Sequence, residues 1–369
     1  MQEKDNEISF YLHIKDSGRS FPPLIGMTTE QIAKITLERL KPVLAEKLKE
    51  LRQSGIHFQK RELHFFIFQD TFLPPSDEVL NILAKISITA FQLFSLKNQE
   101  VIVSTTDESV SVSFSPENPK SMQKLFSSSD AFRMRNPKDW ARALNILQKI
   151  KNKELMEKGV FFISPDESFI SLDSDIDEGT IIHKDVFIIS SKIGRDSEIG
   201  QGVFLFGCKI HDRVKILPYS YLEGAEIDED VSVGPFARMR PKVIVRKNSK
   251  IGNFAEIKNS EIGEGTKIQH FSYIGDAVIG KNVNIGAGTV TCNWDGRAKN
   301  RTEIEDGVFV GSGAMLVAPL KIEKFAYIGA GSTITKNVPP YSLSVERSEQ
   351  KIIPDWTKRK FPDLVSEND

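Results

Sequence analysis

Aliphatic residues recur every six positions through the second half of the chain. The series opens at Ile176, Ile182 and Ile188, restarts at Ile193, Ile199 and Leu205, and again at Ile210, Ile216 and Leu222. It runs on through Ile227, Val233 and Met239, then Val245, Ile251 and Ile257, then Ile262, Ile268 and Ile274. Ile279 and Ile285 begin a triplet whose third position is Thr291. Two more triplets, Ile304, Val310, Leu316 and Ile322, Ile328, Ile334, bring the count to nine. A period of six is neither the 3.6 of a helix nor the 2.0 of a strand. It suits a chain that makes one short strand and one tight turn per six residues. Three such units close a triangular coil with each aliphatic side chain on the axis, and stacked coils bury a continuous ladder. The pattern predicts a parallel β-helix of about nine coils over residues 161–340. Its hand does not follow from the period.

Glycine or an acid often follows the aliphatic, as at Gly194, Gly263, Gly280 and Asp228. These positions are expected to be corners with positive φ or Asx-type bonding. Triplets start 17 or 18 residues apart, but Ile279 and Ile304 are separated by 25. The surplus lies between Thr291 and Glu303 and is predicted to loop out of the prism. Loops on rigid scaffolds commonly carry function.

The glycines divide the chain. Of 24, only Gly18, Gly26 and Gly55 precede Gly159. Residues 131–160 read as a helical arm, with a helix from Asn136 to Lys158. Asn136 is its N-cap, Pro137 opens its first turn and Gly159 ends it. It is placed to cover the open end of the β-helix. In residues 1–130, strand-like runs at Ile8–Ile14, Glu62–Gln69 and Glu100–Phe114 alternate with helical runs at Thr29–Ser54 and Ser76–Leu96. A shorter helical run lies near Lys120. That order predicts a small N-terminal α/β or α+β domain. It holds no GxGxxG and no Walker-type loop. Residues 341–369 form a C-terminal tail.

Composition narrows the functions. Hydrophobic residues are 40% and charged residues 27%, as in globular chains. A net charge of −1 without a Lys/Arg-rich stretch argues against nucleic-acid binding. Two cysteines, Cys208 and Cys292, exclude a disulfide framework and a multi-thiolate metal cluster. The start MQEKDNEIS lacks an apolar segment of the signal-peptide kind. The longest apolar stretch, Val79–Phe94, is interrupted by Asn81, Lys85 and Gln92, so no membrane span is expected. A cytoplasmic location is the expectation.

Four stretches carry a specific resemblance: VGPFARMRP (Val233–Pro241), GNFAEIKN (Gly252–Asn259), HFSYIGDAVIGKNVNIGAGTVTCNWDGRAKNRT (His270–Thr302) and VFVGSGAMLVAP (Val308–Pro319). They resemble the acetyltransferase half of the bacterial bifunctional UDP-N-acetylglucosamine pyrophosphorylase/glucosamine-1-phosphate N-acetyltransferase family. The resemblance runs from about Asn136 to Trp356. Residues 1–130 do not resemble that family's pyrophosphorylase, whose glycine-rich L-A-A-G-x-G-T-x-M signature is missing. The resemblance implies a left-handed β-helix and a homotrimer with sites between subunits. It also implies acetyl-CoA as co-substrate and an amino-sugar phosphate as acceptor.

By the same resemblance His270 is the general base. An imidazole with a pKa near ~6.5 can take the proton of an attacking amine at neutral pH. Glu256 matches the carboxylate that orients it. Arg240, Lys258, Tyr273, Asn284 and Lys299 match the positions that hold the sugar phosphate, a dianion suited to Arg and Lys. Asn293 and Trp294 match a loop pair that meets the acetyl group, where Trp294 replaces a usual Tyr. A backbone N–H there would stabilise an oxyanion. Ala287, Ser312, Ala330 and Arg347 match acetyl-CoA contacts, alongside Asn293 and Trp294. Cys208 and Cys292 read as packing thiols.

Two other readings stay open. Residues 1–130 could be a divergent, Mg-dependent uridylyltransferase, or the chain could be a non-catalytic scaffold. A zinc enzyme of this fold would need three converging histidines. His183, His211 and His270 lie 28 and 59 residues apart, which exceeds one coil.

Overall fold

A computed structural model describes residues 8–15, 27–53, 61–68, 71–72, 75–76, 79–80, 101–105, 110–114, 132–133 and 136–364. The chain forms two compact units, Met1–Asp230 and Val231–Asp369. The boundary falls inside the hexapeptide repeat.

In the first unit, β1 (Ile8–Lys15) is followed by α1 (Thr29–Gln53) and β2 (Arg61–Phe68). β1 and β2 pair in parallel from Ile8↔Arg61 to Lys15↔Phe68. A parallel pair needs a crossover, which α1 supplies. Short β3 (Thr71–Phe72) comes before β4 (Val101–Thr105) and β5 (Val110–Phe114), and β6 (Phe132–Arg133) comes after them. β3 pairs antiparallel with β6, and the main sheet has the order β1-β2-β4-β5. The run expected as one strand over 100–114 is thus two antiparallel strands. The helices expected over 76–96 and near Lys120 lie outside the described residues, save 76 and 79–80.

The helix α2 (Pro137–Glu157) has the predicted ends. Asn136 Oδ1 accepts from the backbone N–H groups of Lys138 and Asp139. At the other end Gly159, at φ +96°, donates to Met156 O, and Val160 N donates to Leu155 O. That pair of bonds is a Schellman turn, which a left-handed glycine permits. Gln148 and Asn152 on this helix donate their side-chain amides to the carbonyls of Pro165, Asp166 and Ser168. Those carbonyls belong to the first coil, so the helix satisfies part of its exposed end.

The coils are those expected from the hexapeptide period, a parallel β-helix of three stacked sheets. They begin earlier than the first predicted triplet, at Phe161–Phe162 and Phe169–Ile170, and fill the first unit to Ala225–Ile227. In the second unit they run from Ser232–Val233 to Leu343–Ser344, one strand past Ile334. The coils therefore exceed nine because the repeat loses its aliphatic signature at both ends. Adjacent strands pair in parallel one coil apart, as at Ile251↔Ile268 and Ile268↔Ile285. Ile251, Ile257, Ile262, Ile268 and Ile274 are all buried on the axis.

The corners differ from expectation. Gly263 is required by close packing rather than by positive φ: a Cβ there would collide with the carbonyl of Gly280 in the next coil. Positive φ falls two residues later, at Gly265 (+69°).

At the longer interval, Thr291 occupies the axial position and is fully buried. Its hydroxyl accepts from Gly275 N at 2.7 Å and lies 3.1 Å from Gly275 O. Valine has the same shape but leaves that amide unpaired. Thr291→Val is expected to lower unfolding stability by about 1–3 kcal/mol, read from urea denaturation. An unchanged midpoint would show that the hydroxyl is dispensable.

Candidate active site

Two neighbouring faces of the second unit carry the residues singled out above. On the first, Asn253 is level with His270 across adjacent coils, and Lys267, Asn284, Phe309 and Tyr327 are level with one another. Three positions further along, the same register aligns His270, Ala287, Ser312 and Ala330. The corner amides agree. Phe271 N donates to Asn253 O, Gly288 N to His270 O, Gly313 N to Ala287 O and Gly331 N to Ser312 O. Arg347 Nη1 then donates to Ala330 O at 3.3 Å. Four of the six expected acetyl-CoA contacts, Ala287, Ser312, Ala330 and Arg347, thus form one column that starts at His270, while Asn293 and Trp294 lie in the looped-out segment. Asn284 stands on this face, three positions before Ala287.

The His270 ring is exposed, and its Nδ1 lies 2.9 Å from Asn253 Oδ1. An amide oxygen accepts, so this contact suits the tautomer of the neutral ring in which Nδ1 bears the hydrogen. Glu256 does not meet this ring. It lies on the second face, with Oε1 3.4 Å from Arg240 Nη1.

The second face gathers the cations. The Lys299 ammonium lies against that of Lys258, and Arg240 adds to the field. The contact with Lys299, helped by desolvation, holds the Lys258 pKa below the usual lysine range. No carboxylate lies within 4.0 Å of either lysine nitrogen among the described residues. Asp276 offsets part of this repulsion, and a cluster of cations of this kind suits an anion. Lys299 reaches Lys258 within a single chain. Tyr273 is level with Glu256, and its hydroxyl and the Asn293 amide both lie over Gly275. Of this set only Lys299 lines a cleft of about 390 Å³, together with Lys242, Asn259, Glu261, Asp276 and Arg301, among others.

The looped-out segment is a small hairpin. Trp294 and Lys299 face each other, bracketed by Asp295 N to Ala298 O and Asn300 N to Asn293 O. In that pattern the facing pair is not itself hydrogen-bonded, so the Trp294 N–H points out of the hairpin. Asp295 holds the turn: Oδ1 accepts from Arg297 N and Ala298 N, and Oδ2 from Asn300 Nδ2. Those donors hold its carboxyl below the usual range, the backbone N–H of Ala298 foremost. Asp276 clamps the base of the loop. Its carboxylate accepts from Asn293 Nδ2 and Asn259 Nδ2, both at 2.5 Å, and its backbone carbonyl accepts from Thr302 N. Asn253, Asp276 and Asp295 were not singled out from sequence. Asn253 precedes His270, and Asn259 precedes Asp276, by the one-coil spacing of 17 that could have found them.

The motif resemblance is borne out over the C-terminal half. The family described as GMPPB C-terminal domain matches residues 223–321. The protein named bifunctional protein GlmU from Thermodesulfovibrio yellowstonii is 52% identical over 209 residues, covering 56% of this chain and 46% of that protein. Its namesake from Thermotoga maritima is 51% identical over 215 residues, covering 58% and 48%. The chain spans about half the length of the curated relatives it matches. Among solved structures, the UDP-N-acetylglucosamine acyltransferase of Francisella novicida aligns over 56% of this chain and 76% of that one. The identity is 18% and the TM-score 0.30.

The Asp295 turn has a pH signature. A depressed folded pKa contributes order that is present above the unfolded value and lost as pH falls through the folded one. The hairpin is therefore expected to persist below the ordinary carboxylate range. Asp295→Ala should speed hydrogen exchange at the Arg297 and Ala298 amides by roughly tenfold or more at neutral pH. Unchanged exchange would remove Asp295 from this role.

Proposed function

We propose that this chain is an acetyl-CoA-dependent N-acetyltransferase whose acceptor is an amino-sugar phosphate, specifically glucosamine 1-phosphate. The observation that carries the reading is the meeting of two features at His270. A column of small residues runs from it to Arg347, and the unpaired cations Lys258 and Lys299 stand on the adjoining face. A thioester with a phosphorylated tail suits the first, and a sugar phosphate suits the second. The motif matches and the 52% identity to a bifunctional protein GlmU support the same choice.

In this reading the acceptor phosphate sits against Arg240, Lys258 and Lys299, with Tyr273 and Asn284 at the sugar. Glu256 keeps Arg240 in place. The amine attacks the thioester carbonyl carbon, and His270 Nε2 takes the proton that the nitrogen loses. Asn253 fixes the ring and its tautomer, a task that needs no carboxylate. The Trp294 N–H, which faces out of its hairpin, is the oxyanion donor in this reading. The role is backbone-borne, so Trp in place of Tyr keeps it. The C–S bond then breaks, the amide stays on the sugar, and the thiolate leaves with the proton from His270. Transfer is direct. Burial pushes both cysteine thiols up, so neither Cys208 nor Cys292 is a ready nucleophile. The working form in this reading is a homotrimer, with neighbouring copies completing each site.

The test is thiol release from acetyl-CoA with glucosamine 1-phosphate. His270→Ala is expected to lower turnover by roughly 10²–10⁴-fold while acetyl-CoA still binds. An unaffected rate would take His270 out of the chemistry. Absence of transfer to any amino-sugar phosphate would return the chain to the scaffold class. Lys258→Met is expected to raise KM for the acceptor by about tenfold or more without raising KM for acetyl-CoA. A rise in the acetyl-CoA term instead would contradict the assignment of the two faces.

A further inference from the structure

The looped-out segment replaces a corner, between the strand ending at Cys292 and the strand starting at Thr302. One residue of the preceding coil meets both of its ends. Asp276 is the single corner residue between the strands Tyr273–Gly275 and Ala277–Ile279. Its Oδ2 accepts from Nδ2 of Asn293, where the chain leaves the prism, and its backbone carbonyl accepts from the N–H of Thr302, where the chain returns. Its Oδ1 accepts from Asn259 Nδ2 one coil earlier, and its own N–H donates to the carbonyl of Lys258. Asn293 is buried, so water offers its side-chain amide little alternative to this carboxylate. The carboxylate has a second neighbour. Lys299 lowers the Lys258 pKa, and against that the Asp276 charge favours the charged lysine.

We infer that Asp276 is a positioning residue for the transfer, acting through Asn293 to fix the loop that carries the oxyanion donor. The inference rests on the proposed transfer, because that reading makes the N–H of Trp294, one residue past Asn293, the donor. The carboxylate has two separable effects. As an acceptor it immobilises Asn293, and a catalytic group displaced by an ångström costs on the order of 10²-fold in rate. As a charge near Lys258 it opposes the acceptor's phosphate, so its removal favours binding of that anion. An asparagine at 276 divides the two effects. Its Oδ1 still accepts from Asn293, and the exposed Asn259 can turn its amide to meet the new NH₂ with an oxygen. An alanine at 276 removes both.

The experiment measures kcat, and KM for glucosamine 1-phosphate at saturating acetyl-CoA. It compares the unaltered protein, Asp276→Ala, Asp276→Asn, Asn293→Ala and the double variant Asp276→Ala/Asn293→Ala. Asp276→Ala is expected to lower kcat by about tenfold or more without raising KM for the acceptor. Asp276→Asn is expected to restore most of that kcat, and it guards against a folding defect of the alanine variant. In the Asn293→Ala background, Asp276→Ala is expected to lower kcat no further, because the two side chains act as one unit. A raised acceptor KM, a kcat loss as large in Asp276→Asn, or losses that multiply in the double variant would overturn the inference. If the unaltered protein transfers acetyl and Asp276→Ala leaves kcat unchanged, Asp276 does not position the loop, while the proposed activity stands. If the unaltered protein transfers nothing, the activity fails and the inference falls with it.

Discussion

Everything at the candidate site depends on the register between coils, and the buried aliphatic ladder sets that register. Each coil places one aliphatic residue on the axis per face, and a one-residue slip would turn that residue outward and a polar one inward. With Ile251, Ile268 and Ile285 level on one face, residues further along the same strands are level as well. That is why Asn253, His270, Ala287, Ser312 and Ala330, spread over 78 positions (330 − 253 + 1), form one column. A core interaction with no chemistry of its own thus aligns the His270 ring, the Asn253 amide and a track of small side chains.

The one departure from the period does the opposite. Between Asn293 and Arg301 the chain leaves the ladder, and its position is held by polar contacts instead. Asp276 ties the loop to its neighbouring coil, and Asp295 ties the loop to itself. A carboxylate that accepts several N–H groups is held firmly without burial. The loop can therefore stay at the surface, where a substrate arrives, and still hold Lys299 against Lys258. The repulsion between those ammonium groups is a cost that a bound phosphate would remove.

Much of this was legible in the sequence, and the limits have physical causes. The coils, the α2 caps at Asn136 and Gly159, and the looped-out segment follow from periodicity and turn chemistry. The strand at Leu343–Ser344 fell outside the expected range because a serine, Ser344, stands level with Ile328 where the series would need an aliphatic. The corner role given to Gly263 failed because a glycine next to a neighbouring coil answers a packing demand, which sequence does not separate from a φ demand. The resemblance gives Glu256, a carboxylate three residues beyond Asn253, as the partner of His270, but the corner puts Glu256 on the next face, beside Arg240. Asn253 is one coil from His270, so the period itself carried the signal. No local chemistry at an asparagine draws attention to it.

The central claim is that a thioester donor lies along the His270 column with its acyl end at Asn253 and His270 and its phosphates toward Arg347. A crystal structure with a non-reactive acetyl-CoA analogue tests it most directly. The account predicts the pantetheine arm beside Ala287, Ser312 and Ala330, and the acyl carbonyl within hydrogen-bonding reach of the Trp294 N–H. An arm lying along either of the other two faces of the prism, or an acyl end remote from His270, would contradict it.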